Sequence, residues 1–222
     1  MDVRSAYHKK LQEIHNDVLY MGSMVEKAII ASVKALKERD MALAQQVITD
    51  DININKKRYE IENTCINLIV TQQPMAGDLR VIMAVANIII ELERIGDYAE
   101  GIAKIVLMIG DEPPLKPLVL IPRMAEKTVD MLHRSLESFV NHDAAAARQI
   151  AIEDDEVDAL YNELFRVLIG FMMEDPKTIT RATRLIWVSH NLERAADRVT
   201  NICERVVFTV TGKIEEIGAS KY

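Results

Sequence analysis

Leu92-Glu93-Arg94-Ile95-Gly96-Asp97 and, 100 residues later, Leu192-Glu193-Arg194-Ala195-Ala196-Asp197 are two copies of one acidic signature in a chain of 222 residues. Each copy sets Glu and Asp four residues apart inside a proline-free stretch, so both carboxylates leave the same side of a helix. Like charges at that spacing cost an isolated helix about 0.2–0.5 kcal/mol per pair. A cost carried twice at matched positions implies something that offsets it. It also implies a helical unit used twice.

Outward from these copies, proline supplies the punctuation. Pro74, Pro113, Pro114, Pro117, Pro122 and Pro176 leave long segments without a helix breaker. From Leu11, the apolar positions Ile14, Val18, Met21, Val25, Ala28 and Ala35 follow helical spacing, as do Ile121, Met124, Ala125, Thr128, Leu132, Leu136 and Phe139. The pattern predicts six helices near 3–38, 41–71, 78–108, 119–141, 144–173 and 177–211. Asp40 and Asp143 read as N-caps of the second and fifth, and Asp175-Pro176 as a cap followed by proline at the first helical position. Short connections make neighbours antiparallel, whereas Gly110 to Pro117 reads as a stiff linker. The expected fold class is all-α, with two tandem three-helix bundles at 1–110 and 118–222, six long antiparallel helices and a pseudo-twofold repeat.

Overlaying the halves makes the duplication explicit. Ala44 to Asp51 matches Ala147 to Asp154 at an offset of 103, which carries Asn55 onto Asp158, while the third helices match at an offset of 100. The slippage falls in the loops around Pro74 and Pro176, where changes of length cost little.

A chain with 49% hydrophobic residues can bury a substantial core. Its net charge of −7, with the acids dispersed, excludes a basic stripe for nucleic acid and suits cations or basic partners. Cys65 and Cys203 stand in no metal or redox spacing, which predicts buried free thiols in a reducing, cytoplasmic setting. The N-terminus has no secretory pattern, and the longest apolar stretch, Val81 to Ile90, is about half a membrane span. Membrane association is therefore expected only through a partner. His8, His15, His133, His142 and His190 are scattered and read as surface or helix-end residues. Trp187 and the methionines, among them Met21, Met83, Met124, Met131 and Met173, read as core filling. No phosphate loop or nucleophilic triad is present in the sequence.

Each half holds two polar pairs at i and i+4: Asp51 with Asn55 and Glu93 with Asp97, then Asp154 with Asp158 and Glu193 with Asp197. Distances along antiparallel helices bring the pairs of one half to similar heights, to within roughly two turns at about 1.5 Å per residue. Four oxygen donors then converge in each half. An all-oxygen set lacking histidine or cysteine points to iron, manganese, magnesium or calcium, with zinc less well matched. Asp50, Glu100, Glu153, Glu156 and Asn201 flank these positions. The structural alternative is an ordinary ion pair at i+3, Arg94 with Asp97 and Arg194 with Asp197. The Glu-x-x-His pair of ferritin-like di-iron bundles is missing from the sequence.

Gln73-Pro74-Met75-Ala76-Gly77-Asp78-Leu79-Arg80, the two Glu-Arg-x-x-Asp copies and Asn201-Ile202-Cys203-Glu204 together resemble the PhoU family of phosphate-transport regulators. Met21-Gly22, Val25-Glu26, Asp50-Asp51, Glu153-Asp154-Asp155 and Met173-Glu174-Asp175 extend the resemblance over nearly the whole chain. It implies two three-helix bundles that hold multinuclear metal clusters, iron foremost, through Glu/Asp-x-x-x-Asp motifs. It further implies a cytoplasmic negative regulator of phosphate uptake and starvation signalling, an adaptor between a phosphate ABC transporter ATPase subunit and a sensor histidine kinase, and a homodimer. Two positions depart from the pattern, Ala195-Ala196 in place of Ile-Gly and Asn55 in place of a carboxylate. The alternative function is a carboxylate-bridged metal enzyme, an oxidase or hydrolase, which requires an enclosed pocket with an open metal position.

Overall fold

The computed structural model describes residues 3–115 and 118–217, with side chains for all of these except 3–6 and 8. Lys116 and Pro117 of the expected linker lie outside the described residues, as does the side chain of His8. The helices are α1 (Val3–Glu38), α2 (Met41–Gln72), α3 (Gly77–Ile109), α4 (Leu120–Asn141), α5 (Ala144–Ile152), α6 (Asp154–Glu174) and α7 (Ile179–Thr211), with a 3₁₀ turn at Pro176–Thr178. No strand occurs among the described residues.

The expected caps form. Asp40 accepts from the Leu43 N–H at 2.8 Å, and Asp143 accepts from the N–H groups of Ala145 and Ala146 at 3.0 and 2.9 Å. Asp175 caps the 3₁₀ turn rather than the last helix, accepting from the Lys177 N–H at 3.0 Å, and Pro176 opens that turn. α7 follows it directly.

α5 and α6 are one rod interrupted at Glu153, so the expected fifth helix carries a break. Hydrogen bonds from Glu153 N–H to the Ile150 carbonyl and from Glu156 N–H to the Glu153 carbonyl close three-residue turns there. The Glu153 carboxylate is held by Arg134 and Lys127 of α4. The break gives α6 its own N-terminus, with Asp154, Asp155 and Glu156 in the first turn, where the helix dipole favours negative charge. α2 runs unbroken through Asp51, so the halves differ at this level.

Each half packs its helices around a shared apolar interior, and α3–α7 and α1–α4 contacts join the halves into one continuous core. α3 contributes Ile82, Ile88, Ile89, Leu92 and Ile95, and α7 contributes Val188, Leu192, Val199 and Ile202, all fully buried. At Gly22 a Cβ would lie 2.1 Å from Leu136 Cδ1, which marks how closely α1 approaches α4. Cys65 and Cys203 are buried free thiols, and burial pushes both up to about 12.

Several side chains fall on unexpected faces. Trp187 is half exposed, as is Met83, and Met173 is 81% exposed. Trp187 stands two residues from buried Leu185, about 200° around α7, and so points away from the stripe. His15, expected at the surface, is buried.

Candidate functional site

The second acidic seam lies where α6 packs on α7. Asp154 stands in the first turn of α6 with Asp158 one turn on, and Glu193 and Asp197 stand one turn apart on α7. Asp154 and Glu193 are only 8% and 9% exposed. Asp154 Oδ1 and Glu193 Oε2 are buried and receive no hydrogen bond. His190 Nδ1 approaches Glu193 Oε2 to 3.2 Å without hydrogen-bond alignment. Burial, then the charges of Asp158, Asp197 and Glu193, raises Asp154 to about 7. Burial, then Asp197 and Asp158, likewise lifts Glu193 to about 7 against the opposing pull of Arg194. Burial and Asp197 also raise Asp158. The i+3 ion pair is present here too, with Arg194 Nη1 donating to Asp197 Oδ2 at 3.0 Å.

The first seam lies between α2 and α3 and is already tied together. Asn55 Nδ2 donates to Asp51 Oδ2 at 2.8 Å, and Arg58 Nη1 of α2 donates to Glu93 Oε1 of α3 at 3.3 Å. Burial, followed by Glu93, Asp51 and Glu100, raises Asp97 to about 6. Asp51 is raised by burial and Glu100. Asp51 Oδ1 is buried without a hydrogen-bond donor. A Cβ at Gly96 would sit 3.1 Å from Ile54 Cδ1 and 3.5 Å from Asp51 Oδ1, so α2 and α3 approach closely at this point. In the second copy Ala196 carries that methyl group and is fully buried. An open groove of about 320 Å³ between α1 and α2 borders Asp51 but no other predicted donor of this seam.

The flanking residues divide. Glu100 joins the first seam, where it receives Lys104 Nζ at 2.5 Å. Glu153 is turned away to Arg134, whose hydrogen bond, aided by Lys127, holds it down to about 2. Asn201 and Arg198 instead donate to Glu91 across the α3–α7 contact, at 3.2 and 3.4 Å. Arg94 is exposed, and it makes no ion pair with Asp97 among the described residues. Sequence reasoning missed Arg58, although the 103-residue offset that pairs Asn55 with Asp158 sets Arg58 against uncharged Tyr161.

Among the described residues, no three His, Cys, Asp or Glu side chains stand at metal-ligating spacing. The second seam nonetheless fits a hard cation by its chemistry. α6 and α7 each present a buried carboxylate oxygen without a hydrogen-bond donor, Asp154 Oδ1 and Glu193 Oε2, with Asp158 and Asp197 one turn away on the same helices. The first seam fits less well, since Arg58 and Asn55 already donate to one oxygen each of Glu93 and Asp51.

The same two-copy arrangement runs through the comparisons with known proteins. A family described as the PhoU domain matches residues 18–106 and again 121–206. The chain belongs to the PhoU family. Over 206 residues it is 39% identical to the phosphate-specific transport system accessory protein PhoU homolog of Aquifex aeolicus, covering 93% of both chains. It is 34% identical over 211 residues to the Escherichia coli K12 accessory protein PhoU, covering 95% of this chain and 88% of that one. The crystal structures of PhoU from Streptococcus pneumoniae and Pseudomonas aeruginosa superimpose with TM-scores of 0.88 at 31% and 34% identity. They cover 95% and 93% of this chain and all of theirs. PhoU proteins are transport accessory and regulatory proteins rather than an enzyme family. No helix among the described residues is long and apolar enough to cross a membrane.

Proposed function

We propose that this chain is the accessory regulator of a phosphate-specific transport system, restraining phosphate uptake and the starvation response when phosphate is plentiful. The observation that carries this reading is its similarity, through both repeats and nearly end to end, to accessory proteins of phosphate-specific transport. The chain links the transporter's ATPase subunit to a sensor histidine kinase, works in the cytoplasm as a homodimer, and reaches the membrane only through those partners. Its repeats run over 1–110 and 118–222.

Asp154, Asp158, Glu193 and Asp197 hold one or more metal ions, iron foremost. The ions supply positive charge that offsets the repulsion in this seam and ties α6 to α7, giving the partners a defined surface. The support is the pair of buried, donor-free carboxylate oxygens on facing helices. Tagged protein purified from cells grown in high phosphate is expected to bring down the transporter ATPase and the kinase. Recovery of neither at any phosphate level contradicts the adaptor role.

A further inference from the structure

The two seams differ in the charges that the chain itself sets against them. In the first, Arg58 reaches across from α2 to Glu93 on α3 at 3.3 Å, and its Nη2 lies 3.8 Å from Glu62. The guanidinium also lies 5.0 Å from the centroid of the Tyr59 ring, and the Arg58 and Glu93 side chains are only 21% and 20% exposed. Asn55 covers Asp51 Oδ2, and Lys104 binds Glu100. At the matching positions of the second half stand Tyr161, Asp158 and Glu204, so two cations and an amide are exchanged for a phenol and two acids. The basic side chains beside that seam, Arg194 at Asp197 and His190 at Glu193, meet carboxylates of their own helix rather than crossing to α6.

We infer that Arg58 is the resident cation of the first seam, its guanidinium joining α2 to α3 where the second seam needs an added metal ion to join α6 to α7. The inference rests on the metal reading above only for the second seam. A planar guanidinium bonded to a carboxylate on the neighbouring helix performs the same cross-helix neutralisation as an ion, and it is always charged. A divalent cation entering beside Glu93 meets that positive charge at close range, in a half-buried setting where screening is weak. The buried donor-free oxygen of the first seam is Asp51 Oδ1, which lies against Gly96. In the second seam the donor-free oxygens come from both α6 and α7. One repeat is thus closed by its own side chain, and the other responds to metal supply.

The test is Mn²⁺ binding to the full chain, counted per chain by equilibrium dialysis with elemental analysis. The wild type is compared with a second-seam variant (Asp154→Asn/Glu193→Gln), a first-seam variant (Glu93→Gln) and an opened first seam (Arg58→Leu/Asn55→Asp). The expected pattern is complete loss of bound Mn²⁺ in the second-seam variant and no change in Glu93→Gln. The opened variant is expected to roughly double the bound metal, and Arg58→Lys/Asn55→Asp, which restores the positive charge, to show no such gain. Circular dichroism establishes that each variant is folded. Loss of Mn²⁺ in Glu93→Gln equal to that in the second-seam variant, or no gain on opening the first seam, overturns the assignment of Arg58. Absence of Mn²⁺ from the wild type with binding by the opened variant sinks the metal reading of the second seam while supporting Arg58 as the first seam's cation.

Discussion

His15 of α1 meets Phe139 of α4 edge-on across the contact between the halves, with ring centroids 5.1 Å apart at an interplanar angle of 75°. The imidazole is buried, its Nε2 has no hydrogen-bond partner, and His142 lies 6.2 Å away. Burial, then the proximity of His142, lowers the affinity of His15 for a proton below the ordinary value. Below about pH 6.5 the unfolded chain takes up this proton before the native chain does, so stability falls as pH drops through that range. His15→Gln is expected to flatten the acid limb of a plot of melting temperature against pH. An unchanged acid limb contradicts the burial of a neutral imidazole.

Asp154 and Glu193 predict the opposite slope. Both titrate near 7 in the native state, against ordinary values of 3.8 and 4.5, so the native chain binds more protons between those limits. Their contribution is favourable below about pH 4 and lost as pH rises to 7. In chelator, the melting temperature of His15→Gln is expected to rise on acidification from about pH 7.5 to 5. Asp154→Asn/Glu193→Gln reduces that rise to the part left by the raised Asp97 of the first seam, and saturating Mn²⁺ raises the neutral-pH melting temperature of the parent but not of this variant. Thermal melts by circular dichroism decide, and a chelated melting temperature that falls on acidification through this range tells against the seam's electrostatics.

Much of this was legible in the sequence, because helices with a clean apolar stripe announce their period. The caps at Asp40 and Asp143 and the two-repeat organisation follow from residue type and spacing alone. The break at Glu153 was not legible. The side chains that hold Glu153 there, Arg134 and Lys127, arrive from another helix. Trp187 and His15 were misplaced for a related reason: residue type favours one face, whereas position on the helix selects the other. Arg58 escaped notice because its partner Glu93 is 35 residues away, a distance that no local pattern spans.

The α1–α4 approach gives a steric prediction. A methyl group at position 22 meets Leu136 Cδ1, so Gly22→Ala sets a repacking cost of about 1–3 kcal/mol against about 1 kcal/mol of helix propensity gained, and is expected to change stability in urea unfolding by no more than about 2 kcal/mol. Leu136→Ala makes room for it, and the double variant is expected to lose less than the sum of the two single changes. Strict additivity contradicts a direct contact.

The Glu153 break gives another. Removing its charge leaves Arg134 and Lys127 with a neutral amide, and Glu153→Gln is expected to cost about 1–3 kcal/mol at neutral pH. Because Arg134 and Lys127 hold Glu153 down to about 2, its contribution is complete above the ordinary 4.5 and declines as pH falls toward 2. Wild type and variant therefore converge in acid. A difference that persists unchanged at about pH 2 excludes the ion pair as its source.

The most direct measurement is an anomalous difference map from crystals of the full chain grown with Mn²⁺ and collected at the manganese edge. One or more peaks are expected among Asp154, Asp158, Glu193 and Asp197, and none beside Arg58 and Glu93. A second seam without a peak in crystals that carry manganese elsewhere on the chain, or equal peaks at both seams, contradicts that difference.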